Sequence, residues 1–271
     1  MIDKVILRNT IFKHLDGLVI APVAFSLYKS GVLAYILDKK EVTLEELTSN
    51  FKANEGYLNV GLRALCSQGF LDYHINNATN AIKFSINDKS KIAFSMFHLY
   101  EDVIDLLHFS MQFHPRLFEE APFERLRVIF EKYKSNYAIS FSNDPLTNTI
   151  QRQILMHIEG CLVGPTLVRL GMSGMFHKYF MEISFRPEEF HKSPENFKII
   201  LDFFVHLGWF TQKKGNYQFT ETGLFFAKRV TAYGVTVSYL PTFSKMDDLL
   251  FGNANVLRDI AEGGEEIHVD R

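Results

Sequence analysis

A pattern near the start of the chain recurs 143 residues later. His14-Leu15-Asp16-Gly17, Pro22 and Ser30-Gly31 return as His157-Ile158-Glu159-Gly160, Pro165 and Ser173-Gly174. Over positions 14–31, six of eighteen residues are identical, and most others exchange like for like. Further matches follow in order: Gln68-Gly69-Phe70-Leu71 with Leu207-Gly208-Trp209-Phe210, Phe84-Ser85 with Phe219-Thr220, and Asp105-Leu106-Leu107 with Asp248-Leu249-Leu250. The offset falls to 135 and then recovers to 143, as loop insertions and deletions between packing elements would make it do. The period is too long for a solenoid unit and suits a small domain. The chain therefore reads as a duplicated domain.

Each copy carries the same order of local signals. In the first, residues 12–37 form an apolar helical stretch expected to break or kink near Pro22, which has no backbone N–H and clashes with the preceding turn. Thr43-Leu44-Glu45-Glu46 is a capping box opening a short helix, and Asn54 is a second N-cap candidate. Leu58, Leu62, Leu65 and Cys66 then share one helical face, which Gly69 ends. Alternation through Phe70–Tyr73 and Ile82–Ile86 makes two strands around an Asn-rich turn. In the second copy Ser193-Pro194-Glu195 starts a helix, Gly208 stops it, and a hairpin with a Gly215-Asn216 turn follows. Helices followed by a β-hairpin give the winged-helix order.

Composition narrows the function. The chain has 29 basic and 31 acidic residues, net −2, so no polybasic signature points to nucleic acid or anionic lipid. The third helix of copy one offers Asn59 and Arg63 against Glu55; that of copy two offers Lys198 against Glu195 and Asp202. Lys83, Lys213 and Lys214 on the wings add little, and Phe197, Phe203, Phe204 and Val205 make the second helix apolar. These faces suit a protein or small-molecule contact better than DNA. Residues 18–37 are nearly all apolar, but a mid-span Lys29 costs about 2.5–3.5 kcal/mol in a membrane. Buried helices of a cytoplasmic protein fit better, as do two cysteines, Cys66 and Cys161, read as buried free thiols.

No phosphate loop, nucleophile elbow, HExxH or kinase signature occurs, so no catalytic, cofactor-binding or metal residue is assigned. His14 and His157 are the strongest chemical candidates, yet a position kept in both copies serves the fold more readily than a reaction. A helix-packed histidine bonded to backbone or to a neighbouring carboxylate is the favoured reading. His108 and His114 lie six apart and give no same-face ligand pair.

The segments "GLVIAPVAFSLYKSGVL", "EVTLEELTSNFKANEGYLNVGLRALCSQGFL" and "KMDDLLFGN" resemble the N-terminal winged-helix region of class I S-adenosylmethionine-dependent methyltransferases of natural-product, polyketide-type pathways. The terminal "GGEEIHVDR" looks like a junction towards a catalytic domain. The resemblance implies a region that dimerises or frames the acceptor substrate. The glycine-rich cofactor turn of such enzymes is missing from the chain, and only seven residues follow Gly263-Gly264, so no cofactor residue can be carried over. S-adenosylmethionine is expected only with a catalytic domain downstream.

The expected architecture is mainly α: two tandem winged-helix units with small β-hairpin wings and a helical connector. The expected segments are 1–97, 98–150, 151–232 and 233–271, the last leading to a downstream domain. Expected partners are a second copy or an internal pseudo-dimer, a methyltransferase domain, and a small-molecule or carrier-bound acceptor; nucleic acid and membrane are not expected. Tyr239, Phe243, Asp248 and Phe251 are the substrate-side candidates, with core packing and a helix cap as their competing reading. The alternative function is a winged-helix transcriptional regulator that binds DNA or a protein partner.

Overall fold

Apolar residues recur at helical spacing along most of the chain, and the computed structural model folds them accordingly. It describes residues 3–108, 120–176, 184–190, 193–252 and 255. His114 and Gly263-Gly264 lie outside the described residues. The elements of the first half are α1 (Lys4–Lys29), α2 (Val32–Lys39), β1 (Glu41–Thr43), α3 (Leu44–Phe51), α4 (Glu55–Ser67), β2 (Asp72–Ile75), β3 (Ile82–Ser85), α5 (Ser90–Met96), a 3-10 turn (Phe97–Tyr100) and α6 (Glu101–His108). Then come α7 (Glu120–Lys134) and α8 (Pro145–Met172). The second half continues with α9 (Pro194–His206), β4 (Phe210–Lys213), β5 (Asn216–Phe219), α10 (Glu221–Ala227), α11 (Val230–Ser238), α12 (Leu240–Phe243) and α13 (Met246–Phe251). The protein is mainly α, with small antiparallel wings.

The copies diverge most in their sheets. In the first, β1 joins the hairpin to give the order β1-β3-β2, with Phe84 paired to Val42 on one side and Tyr73 on the other. In the second, β4 and β5 pair, and Phe185 forms a single bridge to Tyr217 where β1 would lie. Tyr217 thus holds the central place of Phe84, two residues from the Phe219 that sequence matching aligns with it. The second wing has a shorter turn, and register follows strand pairing rather than residue identity.

Four local expectations change. The first helix begins at Lys4, where Asp3 accepts from the N–H groups of Val5 and Ile6. It runs through Pro22 without ending. The chain turns instead at Gly31, whose φ of +85° is strained for other residues. Thr43 caps α3 by accepting from Glu46 N–H at 3.1 Å, but the return half of the capping box is not made: Glu46 accepts from the Tyr35 hydroxyl at 2.7 Å. Asn54 makes no side-chain cap; its Nδ2 donates to the Leu249 carbonyl at 2.8 Å and ties α4 to α13. The apolar face of α9 is core: Phe197, Phe203 and Phe204 are buried and Val205 is half-buried. It is not a contact surface, because Phe130 of α7 stacks on Phe203 with ring centroids 4.0 Å apart.

One hydrophobic core runs through both copies. Its axis is the antiparallel pair of long helices, α1 and α8, which make the most extensive helix–helix contact among the described residues. Both are long and apolar enough to cross a membrane by length and composition, yet 61% and 78% of their most apolar windows are buried within the protein. That burial is what core helices show.

Candidate functional site

The conserved residues of the repeat meet where α1 crosses α8. A Cβ on Gly17 would stand 2.3 Å from the His157 carbonyl oxygen, and one on Gly160 would stand 2.2 Å from that of His14. Each glycine therefore lets the other helix's backbone through, and the two contacts are related by a local pseudo-twofold axis. His14 and Gly17 face His157 and Gly160 across that axis. The repeated tetrapeptide is the crossing itself.

Each histidine is held by a tyrosine from the opposite copy. His14 Nδ1 lies 2.8 Å from the Tyr233 hydroxyl of α11, and His157 Nδ1 lies 2.8 Å from the Tyr100 hydroxyl. All four side chains are fully buried. Burial raises both phenol pKa values well above their ordinary range, with Cys161 adding at Tyr100 and Glu159 adding at Tyr233. Aromatic packing repeats too: Phe226 stacks near His14, and Phe70 meets the His157 ring edge-on.

The symmetry fails at the other ring nitrogen. His14 Nε2 donates to Glu159 Oε1 at 3.0 Å, and the other carboxylate oxygen accepts from the Tyr133 hydroxyl. Burial alone would raise the Glu159 pKa; the bond and charge of His14, with the Tyr133 bond, outweigh it and hold it below the usual value. Among the described residues, His157 Nε2 is buried with no hydrogen-bond partner. The residue related to Glu159 is Asp16, one methylene shorter and exposed. Burial, and secondarily the charge of Lys13, push the His157 pKa down to about 3, so the ring is neutral at ordinary pH. Tyr100 has no other hydrogen-bond partner among the described residues, so assigning its O–H as the donor to Nδ1 leaves the fewest buried polar groups unsatisfied. That assignment puts the ring proton on Nε2, a buried donor that is costly to leave without a partner.

His157 also lines a cleft of about 670 Å³. Lys13, Asp16, Gln68, Asn136 and Arg152 contribute polar groups to it, and Phe141, Leu155 and Met156 contribute apolar ones. The Arg152 guanidinium sits 4.6 Å over the Phe141 ring and gives its Nε–H to Asn148. Asn136 begins a three-residue left-handed turn, Asn136-Tyr137-Ala138, with φ of +52°, +54° and +56°. Such a turn costs about 1–2 kcal/mol per residue for side chains other than glycine, and strain of this kind gathers at functional positions.

The four substrate-side candidates do not line this cleft. Tyr239 and Phe243 stack on each other at 6.2 Å between centroids. Phe243 and Phe251 pack against the core from its edge. Asp248 is exposed, and its carbonyl accepts from the Gly252 N–H. Cys161 is buried and Cys66 half-buried, both as free thiols, and burial pushes the Cys66 thiol up to about 11. Sequence reasoning singled out His157 but missed Lys13, Arg152 and the cleft. Only the unequal pair Asp16/Glu159 in the repeat hinted that the two histidines differ.

Comparison with known proteins finds two matches. Residues 7–73 match the model of the AprA N-terminal domain, and residues 159–253 match that of the AprA winged helix domain. No curated protein matches the chain. The first match covers α1 and the first winged-helix elements. The second begins at Glu159, inside the crossing, and runs past α13. The chain is thus similar in both its halves to AprA domains, and its architecture is consistent with the winged-helix region of an AprA-type protein.

Proposed function

We propose that this chain is a non-catalytic, substrate-framing region of an S-adenosylmethionine-dependent methyltransferase. The observation that carries the reading is the double winged-helix scaffold closed on itself at the α1–α8 crossing. The residues that look most chemical in the sequence, His14 and His157, are buried there and hold helices together. The winged-helix match supports the scaffold, and the sequence resemblance to methyltransferase N-terminal regions supports the assignment to such an enzyme. So does the lack of a glycine-rich cofactor turn in the sequence. The crossing takes the form of an internal pseudo-dimer, which favours that assembly over a homodimer. Two free thiols and long helices buried within the protein support a cytoplasmic location. The region would work beside a methyltransferase domain that supplies the cofactor, and would frame a small-molecule or carrier-bound acceptor.

Two measurements test this. Calorimetric titration of the chain with S-adenosylmethionine should give no binding heat; micromolar affinity would contradict the non-catalytic assignment. The coding sequence beyond Arg271 should encode a strand, a glycine-rich turn and a helix; a stop codon there would remove the methyltransferase reading. The winged-helix match is compatible with the regulator alternative but does not favour it. The outward positions of α4 include Glu55, Tyr57, Val60 and Arg63, of which only Arg63 is basic, and its guanidinium lies over the Tyr73 ring.

A further inference from the structure

We propose that the cleft beside His157 binds a small organic carboxylate, whose carboxylate group takes the place over His157 that Glu159 takes over His14. The inference is independent of the methyltransferase reading.

The molecule contains its own template for this site. At one end of the pseudo-twofold crossing, a carboxylate on a two-methylene arm accepts the Nε2–H of a buried histidine whose Nδ1 faces a tyrosine. At the other end the histidine, the tyrosine and the crossing glycine are all present, and the carboxylate is not. Asp16 stands at the corresponding position, one methylene shorter and exposed, and its carboxylate makes no hydrogen bond among the described residues. Where Glu159 would lie, the cleft opens.

The charges around the opening suit an anion. Lys13 and Arg152 both line the cleft, and neither is paired with a carboxylate in the described residues. Among the described residues Arg152 gives only its Nε–H, to Asn148, leaving the two terminal nitrogens of its fork for a bidentate carboxylate. Gln153 and Gln68, bonded to each other at 3.0 Å, offer amide groups to a polar ligand body. Asp16 at the rim opposes binding and limits the site to ligands whose negative charge reaches inward. Nε2 has no solvent contact when the cleft is empty, so an entering carboxylate displaces part of the cleft wall to reach it.

The test uses propionate, the free counterpart of the Glu159 arm, with propionamide as its neutral twin. Both are titrated into the whole chain at fixed ionic strength while the histidine ring nitrogens are followed by NMR. Propionate should shift the His157 Nε2–H resonance, saturating with a Kd on the order of 1 mM, and leave His14 unmoved. Propionamide should bind at least about tenfold more weakly, and Arg152→Gln should weaken propionate by about three- to tenfold. Asp16→Glu should abolish binding by filling the site from within. Asp16→Asn, which needs no extra room, removes a like charge and should tighten propionate about two- to fivefold. No response of His157 to propionate overturns the proposal. So does an equal response to propionamide, unchanged binding in Asp16→Glu, or lost binding in Asp16→Asn.

Discussion

The two ends of the α1–α8 crossing are built from the same residues and finished differently. Around His14 every polar atom is used: Tyr233 on one ring nitrogen, Glu159 on the other, and Tyr133 on the far carboxylate oxygen. Around His157, Tyr100 is the one hydrogen-bond partner among the described residues, and Nε2 stays buried without one in a residue that lines a cleft. Duplication supplied two equal histidine pockets, and one methylene of difference, Asp16 against Glu159, separates a closed structural site from an open one. The shared part of a repeat thus reports on scaffold, and the unshared part is where a binding role can develop. Four predictions bear on this contrast.

The largest effect belongs to what the two ends share. Gly17→Ala and Gly160→Ala each drive a Cβ to within 2.3 Å of the opposite helix's backbone. That contact cannot be relieved by rotating a side chain, so each should cost about 3 kcal/mol or more in urea denaturation. Equal losses would support the pseudo-symmetry, whereas a loss at only one glycine would break it.

Next comes the carboxylate. Glu159→Gln removes charged bonds from His14 and Tyr133 and should cost roughly 1.5–3 kcal/mol at pH 7. Asp16→Asn should change stability by less than about 0.5 kcal/mol, since Asp16 is exposed. A cost at Asp16 comparable to that at Glu159 would mean that the ends are alike.

Acid should separate them as well. The His157 pKa falls from 6.5 to about 3 on folding. Below pH 6.5 the unfolded chain binds the proton and the folded one does not. His157 therefore contributes stability that is complete above pH 6.5 and is lost as the pH drops towards 3, at up to about 1.4 kcal/mol per pH unit. The Glu159 pKa is lowered from 4.5 on folding, so its contribution is complete above that value and lost only below it. Between pH 6.5 and 4.5, His157→Gln should flatten the stability curve and Glu159→Gln should not. A profile unaffected by His157→Gln in that window would refute the buried neutral ring.

The smallest effect is a control for the crossing. Gly56 lies in the first turn of α4 with nothing within 4 Å of an added Cβ. Gly56→Ala should stabilise by about 0.5–1 kcal/mol through helix propensity and the loss of unfolded-chain freedom. Its sign, opposite to that of Gly160→Ala, ties the cost at the crossing to close approach rather than to glycine replacement as such.

Much of the scaffold was legible in the sequence, because its signals are local. Thr43 three residues before Glu46, Pro194 at a helix start, and Gly69 and Gly208 past helix ends each act within one turn of chain. The repeat itself announced the duplication. What escaped depends on distant partners. Asn54 looked like a cap but spends its amide on the Leu249 carbonyl, 195 residues on. Phe197, Phe203 and Phe204 looked like a docking face because nothing nearby in sequence shows that α7 covers it. Pro22 looked like a break, yet α1 continues because burial against α8 holds it on both sides of the missing bond. The cleft was invisible for the same reason, since Lys13, Gln68 and Arg152 meet only once the fold is complete.

The most direct test of the contrast is the NMR pH titration of the His14 and His157 ring nitrogens in the ligand-free chain. His157 should stay neutral with its proton on Nε2 from pH 7 down to about 4, since its pKa lies near 3. His14 Nε2–H should carry the downfield shift of a bond to a carboxylate and lose it in Glu159→Gln. If His157 instead titrates near 6.5 as a solvated histidine does, or if both rings give the same bonded Nε2 signal, the two ends are not a closed site and an open one, and the account fails.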